Sequence, residues 1–399
     1  MKTGWDIKKL EELFDVQSSK RVHKKDWQNS GIPFYRAREV VKLAKHGFVN
    51  NELFISQELY NEYTKEKGAP KEDDIIISAV GTLGECYLVK SNDKFYIKDA
   101  SVLWFVKKTN VFSRFIEYSF KSPEVQAQVM DKSMGATVGT LTISRAKNIK
   151  IPTPPLPEQK RIVSILDKAF AAIDKAKANA EKNLNNAKEL FESYLWSYMS
   201  DKKWERVKLQ DICTKVEYGS SSKSLAIGKV PVLRMGNIQK GKFDWSDLVY
   251  TDNKEEIEKY TLEYNDILFN RTNSPELVGK TAIYKGEQPA IFAGYLIRIH
   301  RKKELINADF LNFYLNSLVA FNYGKTVMSA SINQANINGT KLKTYPIPLP
   351  PIETQEQIVN NLNLILSQTI SLSNTSQKKL DDLEELKKSI LHKAFNGEF

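Results

Sequence analysis

The segment Ile151-Pro152-Thr153-Pro154-Pro155-Leu156-Pro157-Glu158-Gln159-Lys160-Arg161-Ile162-Val163 returns as Ile347-Pro348-Leu349-Pro350-Pro351-Ile352-Glu353-Thr354-Gln355-Glu356-Gln357-Ile358-Val359, an offset of 196. After each copy comes a long stretch without Gly or Pro, to Met199 in the first and to Asn396 in the second. Proline fits the start and first turn of a helix but not its interior, so Pro157 and Pro351 mark where two long helices begin. Gly397 marks where the second stops. In a chain of 399 residues, an offset held without a gap to the last residue means a duplication.

Ile162, Leu166, Ala169, Ile173, Ala176, Ala180, Asn183, Ala187, Leu190 and Tyr194 follow one another at steps of four and three, the spacing of a heptad seam. The second copy places Ile358, Leu362, Ile365, Thr369, Leu372, Ser376, Lys379, Leu383, Leu386 and Ile390 there. One seam is rich in Ala and the other in Leu and Ile, which predicts an intramolecular coiled coil. Beside the seam runs a second stripe: Val163, Phe170, Leu184, Phe191 and Tyr198, with Val359, Leu366 and Leu380 in the second copy. Two helices alone cannot bury a stripe that wide. It is expected to bind another protein, the alternative being that the chain's own globular domains fold over it.

The intervening segments, 1–150 and 201–346, read as mixed α/β domains built to one plan, separated by the helical segments 151–200 and 347–399. Ile32–Arg36 and Asp74–Ser78 are expected strands, matched by Val230–Arg234 and Asp266–Asn270; Tyr96–Val106 is expected to be one strand and Phe112–Met130 one helix. Asp73 and Asp74 read as a solvated turn. Ala136 to Ser144 pairs with Ala330 to Asn338 at an offset of 194. The second domain begins just after the first helix ends and finishes where the second helix starts. A domain of that size has a radius of gyration of only ~15 Å, whereas each helix is ~65 Å long. The helices must therefore run antiparallel, which brings Trp5 near the end of the second helix.

Composition bounds the chemistry. A net charge of +11 and a pI near 9.2 suit a polyanionic partner. No stretch approaches the ~18 apolar residues of a membrane span, no apolar secretory h-region follows Met1, and two cysteines suggest no disulfide framework, so a cytoplasmic setting is expected. Gly236-Asn237-Ile238-Gln239-Lys240-Gly241-Lys242 imitates a phosphate loop, but Phe243 stands where a Mg²⁺-binding hydroxyl is required. Without a cofactor loop, metal spacing or nucleophile pattern, the chain reads as non-catalytic and free of cofactors.

Recognition chemistry remains. Arg, Lys, Asn and Gln read base edges, while Lys, Arg and small hydroxyl residues hold phosphates. Such residues gather at matching places: Arg36 and Arg38 against Arg234 and Asn237; Thr82 against Arg271 and Asn273; Thr137, Thr140 and Arg145 against Ser331, Asn333, Gln334 and Asn336.

The duplicated Ile-Pro-x-Pro-Pro stretch, each copy closing a variable domain, resembles the specificity subunit of type I restriction–modification enzymes over the whole chain. The resemblance implies an α+β fold: two α/β target recognition domains separated by two long helices that form an antiparallel coiled coil, with a pseudo-twofold internal repeat. It implies binding of double-stranded DNA at a bipartite asymmetric site, one part per domain, with the helices fixing the spacer. It also implies two modification subunits that carry the adenine methylation chemistry, joined for restriction by motor-nuclease subunits. A stand-alone DNA methyltransferase or nuclease and a coiled-coil adaptor that binds no DNA are the rival readings.

Overall fold

The computed structural model describes residues 4–131, 139–330 and 334–399. Two compact units emerge, residues 1–180 with 378–399 and residues 181–377, so the division falls inside both long helices rather than at their ends.

In the first unit Asp6–Lys9 pairs antiparallel with Lys150–Thr153, closing the domain at its two ends. A four-stranded antiparallel sheet runs in the order Phe14–Gln17, Val102–Lys107, Ile75–Ser78, Cys86–Leu88. The run Ile75-Ile76-Ile77 is wholly buried because both faces of the sheet are covered. Ile75 and Ile77 face the core shared with the long helices, and Ile76 faces a second core under the helix Ala37–His46. A smaller sheet sets Ile32–Tyr35 between Phe54–Ile55 and Tyr96–Ile97, parallel to the latter.

The second unit repeats this plan. Arg206–Lys208 pairs with Pro346–Pro348; the larger sheet runs Cys213–Tyr218, Leu296–Arg301, Ile267–Asn270, Thr281–Ile283; the smaller runs Val249–Thr251, Val230–Leu233, Ile291–Phe292. One insertion point differs. After the strand that ends at Tyr35 the chain makes the ten-residue helix Ala37–His46, whereas after Leu233 it makes a 3₁₀ turn, Met235–Asn237, and a short hairpin of Ile238–Gln239 with Lys242–Phe243.

The long helices are Leu156–Ser200 and Ile352–Phe395. The Pro155 carbonyl accepts from Glu158 and Gln159, and the Pro351 carbonyl from Thr354 and Gln355, so both helices start at the same place in the repeated motif. Within the first unit Asp174 pairs with Lys387 at 3.8 Å and Lys177 with Glu384 at 2.5 Å, rising numbers on one helix meeting falling numbers on the other. Within the second, Leu195 and Met199 share a core with Ile358 and Leu362. Each half of the helical pair is thus antiparallel, as the order of the segments requires. Trp5 packs on the core that holds Leu391, Ala394 and Phe395.

Several expectations need correction. The seam is not heptad throughout: Leu190, Tyr194, Lys379, Leu372 and Leu386 are exposed. Inward-facing residues recur at eleven, as in Ile162, Ile173, Leu184, Leu195 and in Ile358, Thr369, Leu380, Leu391. Eleven residues fill three turns at close to 3.6 per turn, so a nearly straight helix keeps that stripe facing one way where a seven-residue stripe drifts. Tyr96–Val106 is two strands parted by the turn at Lys98–Ser101, with Ala100 at φ +58°. Phe112–Met130 is two helices, Ser113–Ser119 and Pro123–Met130, because Pro123 cannot sit mid-helix and Ser122 caps the second. Asp74 is fully buried, accepting from Trp104 Nε1 at 2.9 Å and Lys107 N at 3.1 Å, and is a core acceptor rather than a solvated turn residue. The helices Ile143–Lys147 and Gly339–Lys343 match at 196 rather than 194, which makes Asn336 the counterpart of Thr140.

The flanking stripe is largely covered from within. Val163, Phe170 and Val359 are buried, Phe170 lies 5.4 Å from the Tyr118 ring, and Phe191 lies 6.3 Å from Phe313. Each α/β domain lays the first helix after its larger sheet over the stripe of its own unit, so these residues serve docking inside the chain. Leu184, Tyr198, Leu366 and Leu380 are half-buried.

Candidate nucleic-acid interface

In each domain four chain segments leave the sheets at one end, and backbone hydrogen bonds tie them together. In the first domain Lys98 N donates to Tyr35 O at 2.8 Å, Ala79 N to Ser101 O at 2.9 Å, and Leu141 N to Ala79 O at 2.8 Å. The second repeats the pattern: Ala293 N to Leu233 O at 2.9 Å, Arg271 N to Tyr295 O at 3.1 Å, Ile337 N to Arg271 O at 2.8 Å. Candidates far apart in sequence are therefore neighbours in space.

Arg36, Arg38 and Thr82 line one open cleft of about 620 Å³ in the first domain, together with Lys42, Lys98 and Ser101 and an apolar floor of Ala37, Val41 and Val80. The arginines are preset by one carboxylate. Glu39, only 2% exposed, accepts from Arg36 Nε at 3.1 Å, from Arg36 NH2 at 3.0 Å and from Arg38 Nε at 2.5 Å; Arg38 also pairs with Glu52. Burial pushes the Glu39 carboxyl up, but the hydrogen bonds from Arg36 and Arg38 outweigh it and hold the group below the usual carboxylate range. Thr82 is exposed at the turn opened by Gly81 at φ +72°, and Thr140 bridges to Val80 beside it. Arg145 braces instead of facing outward, its guanidinium donating to Thr140 O, Val129 O and Asp131 O at 2.6 to 3.0 Å and so pinning the loop. Thr137 lies outside the described residues.

In the second domain Arg234 donates to the Asp247 carboxylate at 3.1 Å. Asn237, 3% exposed, accepts from Arg234 N at 2.8 Å and donates to Asp244 O and Asp247 O, so it braces the turn and does not face a ligand. Thr272–Asn273 pairs with Ala335–Asn336 in a short sheet that brings Arg271, Asn273, Gln334 and Asn336 together. Asn336 Nδ2 donates to Thr272 Oγ1 at 2.7 Å, and the Arg271 guanidinium lies 4.8 Å over the Tyr218 ring. Ser331 and Asn333 lie outside the described residues. Beneath, Glu217 accepts from Arg298 at 2.6 and 3.0 Å and meets His300 Nε2 at 3.0 Å. Burial pushes the Glu217 carboxyl up, but Arg298 and His300 outweigh it and bring it down to about 2.

Lys42, Lys98, Ser101, Tyr218 and the exposed Tyr295 are not evident as site residues from the sequence. Lys42 lies on a helix face, and the others sit in turns or at a strand end with no local signature; only the matched hydrogen bonds of the duplicated scaffold reveal them.

Comparison with known proteins meets this geometry. Residues 2–184 and 201–382 each match the family described as Type I restriction modification DNA specificity domain, and the chain belongs to that family. It is similar to the Type I restriction enzyme EcoKI specificity subunit of Escherichia coli (strain K12), 28% identical over 306 residues, 72% of this chain and 66% of the relative. It is similar also to the Putative type I restriction enzyme MjaX specificity subunit of Methanocaldococcus jannaschii, 35% identical over 197 residues, 48% of this chain and 45% of the relative. The matched stretches thus span less than two thirds of these relatives. A chain from a solved structure concerned with complex assembly and conformational transition of the type I R-M system superimposes with a TM-score of 0.78 at 18% identity, covering 99% of this chain and 98% of that one, a likeness of fold.

Proposed function

We propose that this chain reads a bipartite, asymmetric site in double-stranded DNA, one part with each α/β domain, and that it directs adenine methylation by two modification subunits and restriction by motor-nuclease subunits in the cytoplasm. The chain itself contributes recognition and not catalysis. One observation carries the reading: the same four tied segments present unlike chemistry in the two domains, a helix bearing Arg36, Arg38 and Lys42 after the smaller-sheet strand in one, and in the other a short hairpin at that point with Arg271, Asn273 and Asn336 on further tied segments. A common scaffold with exchanged contact loops is what two different half-sites require. The segments 1–150 and 201–346 are the proposed recognition modules, and 151–200 and 347–399 the proposed connectors. For the modification subunits the exposed apolar residues Leu190, Tyr194, Trp196, Leu364 and Ile370 are the better surface, since much of the flanking stripe is already covered.

The test is to express the chain with its modification subunits and sequence the methylated adenines. The expected product is a two-part motif with an unspecified spacer, and replacing 201–346 with the matching domain of a relative should change one part only. A contiguous motif, or a change in both parts, would overturn the reading.

A further inference from the structure

The geometry points to Arg271 as a reader of guanine in the half-site taken by the second domain, held ready by Tyr218; this rests on the DNA-reading function proposed above. The arginine stands apart from the other candidates. Arg36, Arg38 and Arg234 each engage a carboxylate and Arg145 engages three carbonyls. Arg271 meets no carboxylate among the described residues; its guanidinium makes a single long bond, NH1 to Gly294 O at 3.3 Å, and Nε is buried without a partner. A buried, unsatisfied cationic donor is costly. The terminal nitrogens have only that one long bond within the described residues, so a ligand acceptor there would add charge-assisted hydrogen bonds that the protein leaves unmade.

Everything around the side chain restrains it. Its own N–H and carbonyl are both bonded, to Tyr295 O and Ile337 N. The guanidinium carbon lies 4.8 Å from the centre of the Tyr218 ring, whose Oη accepts from Gly339 N at 2.7 Å. Gly339 leaves room for that contact: a Cβ there would lie 3.1 Å from Tyr218 Oη and 3.2 Å from Val216. Contact with the ring removes rotamer freedom before binding, and a planar fork matches the O6 and N7 acceptors of guanine as no lysine can. Asn273, two residues on, lies on the same face of the short strand as Arg271, whereas Asn336 faces Thr272 on the other side.

The duplication supplies an internal control. Ala79 occupies the position of Arg271, with the same two backbone bonds, and Ser18 that of Tyr218, judged from Gln17 facing Trp104 and Glu217 facing Arg298 across equivalent strands. Arginine and its platform occur together in one copy, and both are replaced in the other. A pair that served only to stabilise the scaffold would be needed twice.

The experiment uses the full chain with its modification subunits. Methylated sites are sequenced for the wild type, Arg271→Ala, Arg271→Lys and Tyr218→Leu. The expected result is a G·C pair in the second domain's half-site at which both arginine substitutions lower discrimination about tenfold to a hundredfold, with Tyr218→Leu relaxing the same position and the first half-site unchanged. As a check independent of any variant, wild-type complex should bind more weakly to DNA carrying 7-deazaguanine at that position, which lacks the N7 acceptor. Uniformly weaker methylation with unchanged base preference would make Arg271 a phosphate contact and overturn the inference. So would an unaltered motif, or indifference to 7-deazaguanine. A wild-type complex with no two-part motif would instead refute the function on which the inference rests.

Discussion

Asn307 donates its backbone N–H to the side-chain carbonyl of Gln355 at 2.8 Å, and Phe112 does the same for Gln159 at 2.9 Å. Asn307 and Phe112 each cap the first helix after the larger sheet, while the glutamines lie in the opening turns of the long helices. Gln355 Nε2 also donates to Leu305 O and Pro350 O, and Gln159 Nε2 to Pro154 O. Both side chains are buried, at 0% and 3% exposure. One amide therefore rivets each recognition domain to the helix that follows it. Gln355→Leu should cost about 2–4 kcal/mol, since it leaves the Asn307 N–H and Leu305 carbonyl buried without partners. Urea unfolding followed separately in the two units would show the loss in residues 181–377.

Glu217 fixes a pH dependence. Its folded pKa of about 2 lies below the ordinary carboxylate value, so its contribution is present above roughly pH 4.5 and is lost as pH falls towards 2. A depression of that size sets an upper bound of roughly 3 kcal/mol, which solvent screening around the ion pair reduces. Glu217→Gln should lower stability at pH 7 and flatten the acid limb of the stability curve; an acid limb unchanged by the substitution would contradict the assignment.

Phe395 closes the first unit from the far end of the chain, with its ring 5.0 Å from Phe115 and 2% exposed. Phe395→Ala should destabilise that unit by about 3–5 kcal/mol. Thermal unfolding should show this without a matching loss in the second unit.

Lys42 and Lys98 line the cleft of the first domain. If they neutralise phosphates, replacing both with Ala should weaken binding to all sequences and reduce the slope of log affinity against log salt by about 0.9 for each phosphate no longer neutralised. A change of base preference at the first half-site would instead mark them as base readers.

Much of this architecture is legible in the residues themselves. The proline brackets and the Ile75-Ile76-Ile77 and Ile267-Leu268-Phe269 runs are local signals, and each folds as its chemistry dictates. Ser122-Pro123 is an equally local signal, and it divides the helix that apolar spacing alone predicts over Phe112–Met130. The turn at Lys98–Ser101 carries neither Gly nor Pro, and Asp99 and Ser101 are its only local marks, a weak signal inside an apolar run. Arg145 and Asn237 have the side chains of readers and the surroundings of braces, a distinction set by which carbonyls fold next to them. Burial of Phe170 and Phe191 likewise depends on Tyr118 and Phe313, which no periodicity within the helix reports. Lys42 and Lys98 acquire a role only because Lys98 N reaches Tyr35 O.

The sharing of the first core between residues 10–173 and residues 391–395 also has a temporal meaning. A ribosome delivers the first domain long before the segment that seals it, at ~5–20 residues per second. Leu166, Phe170 and Ile173 then wait for Leu391, Ala394 and Phe395, whereas the second unit is one continuous stretch, 181–377, and lacks no later part. The order of maturation therefore runs against the order of synthesis: the domain made first is finished last. A nascent chain arrested before residue 378 would expose that apolar face, so termination there would yield a sticky fragment whose later-made unit is complete.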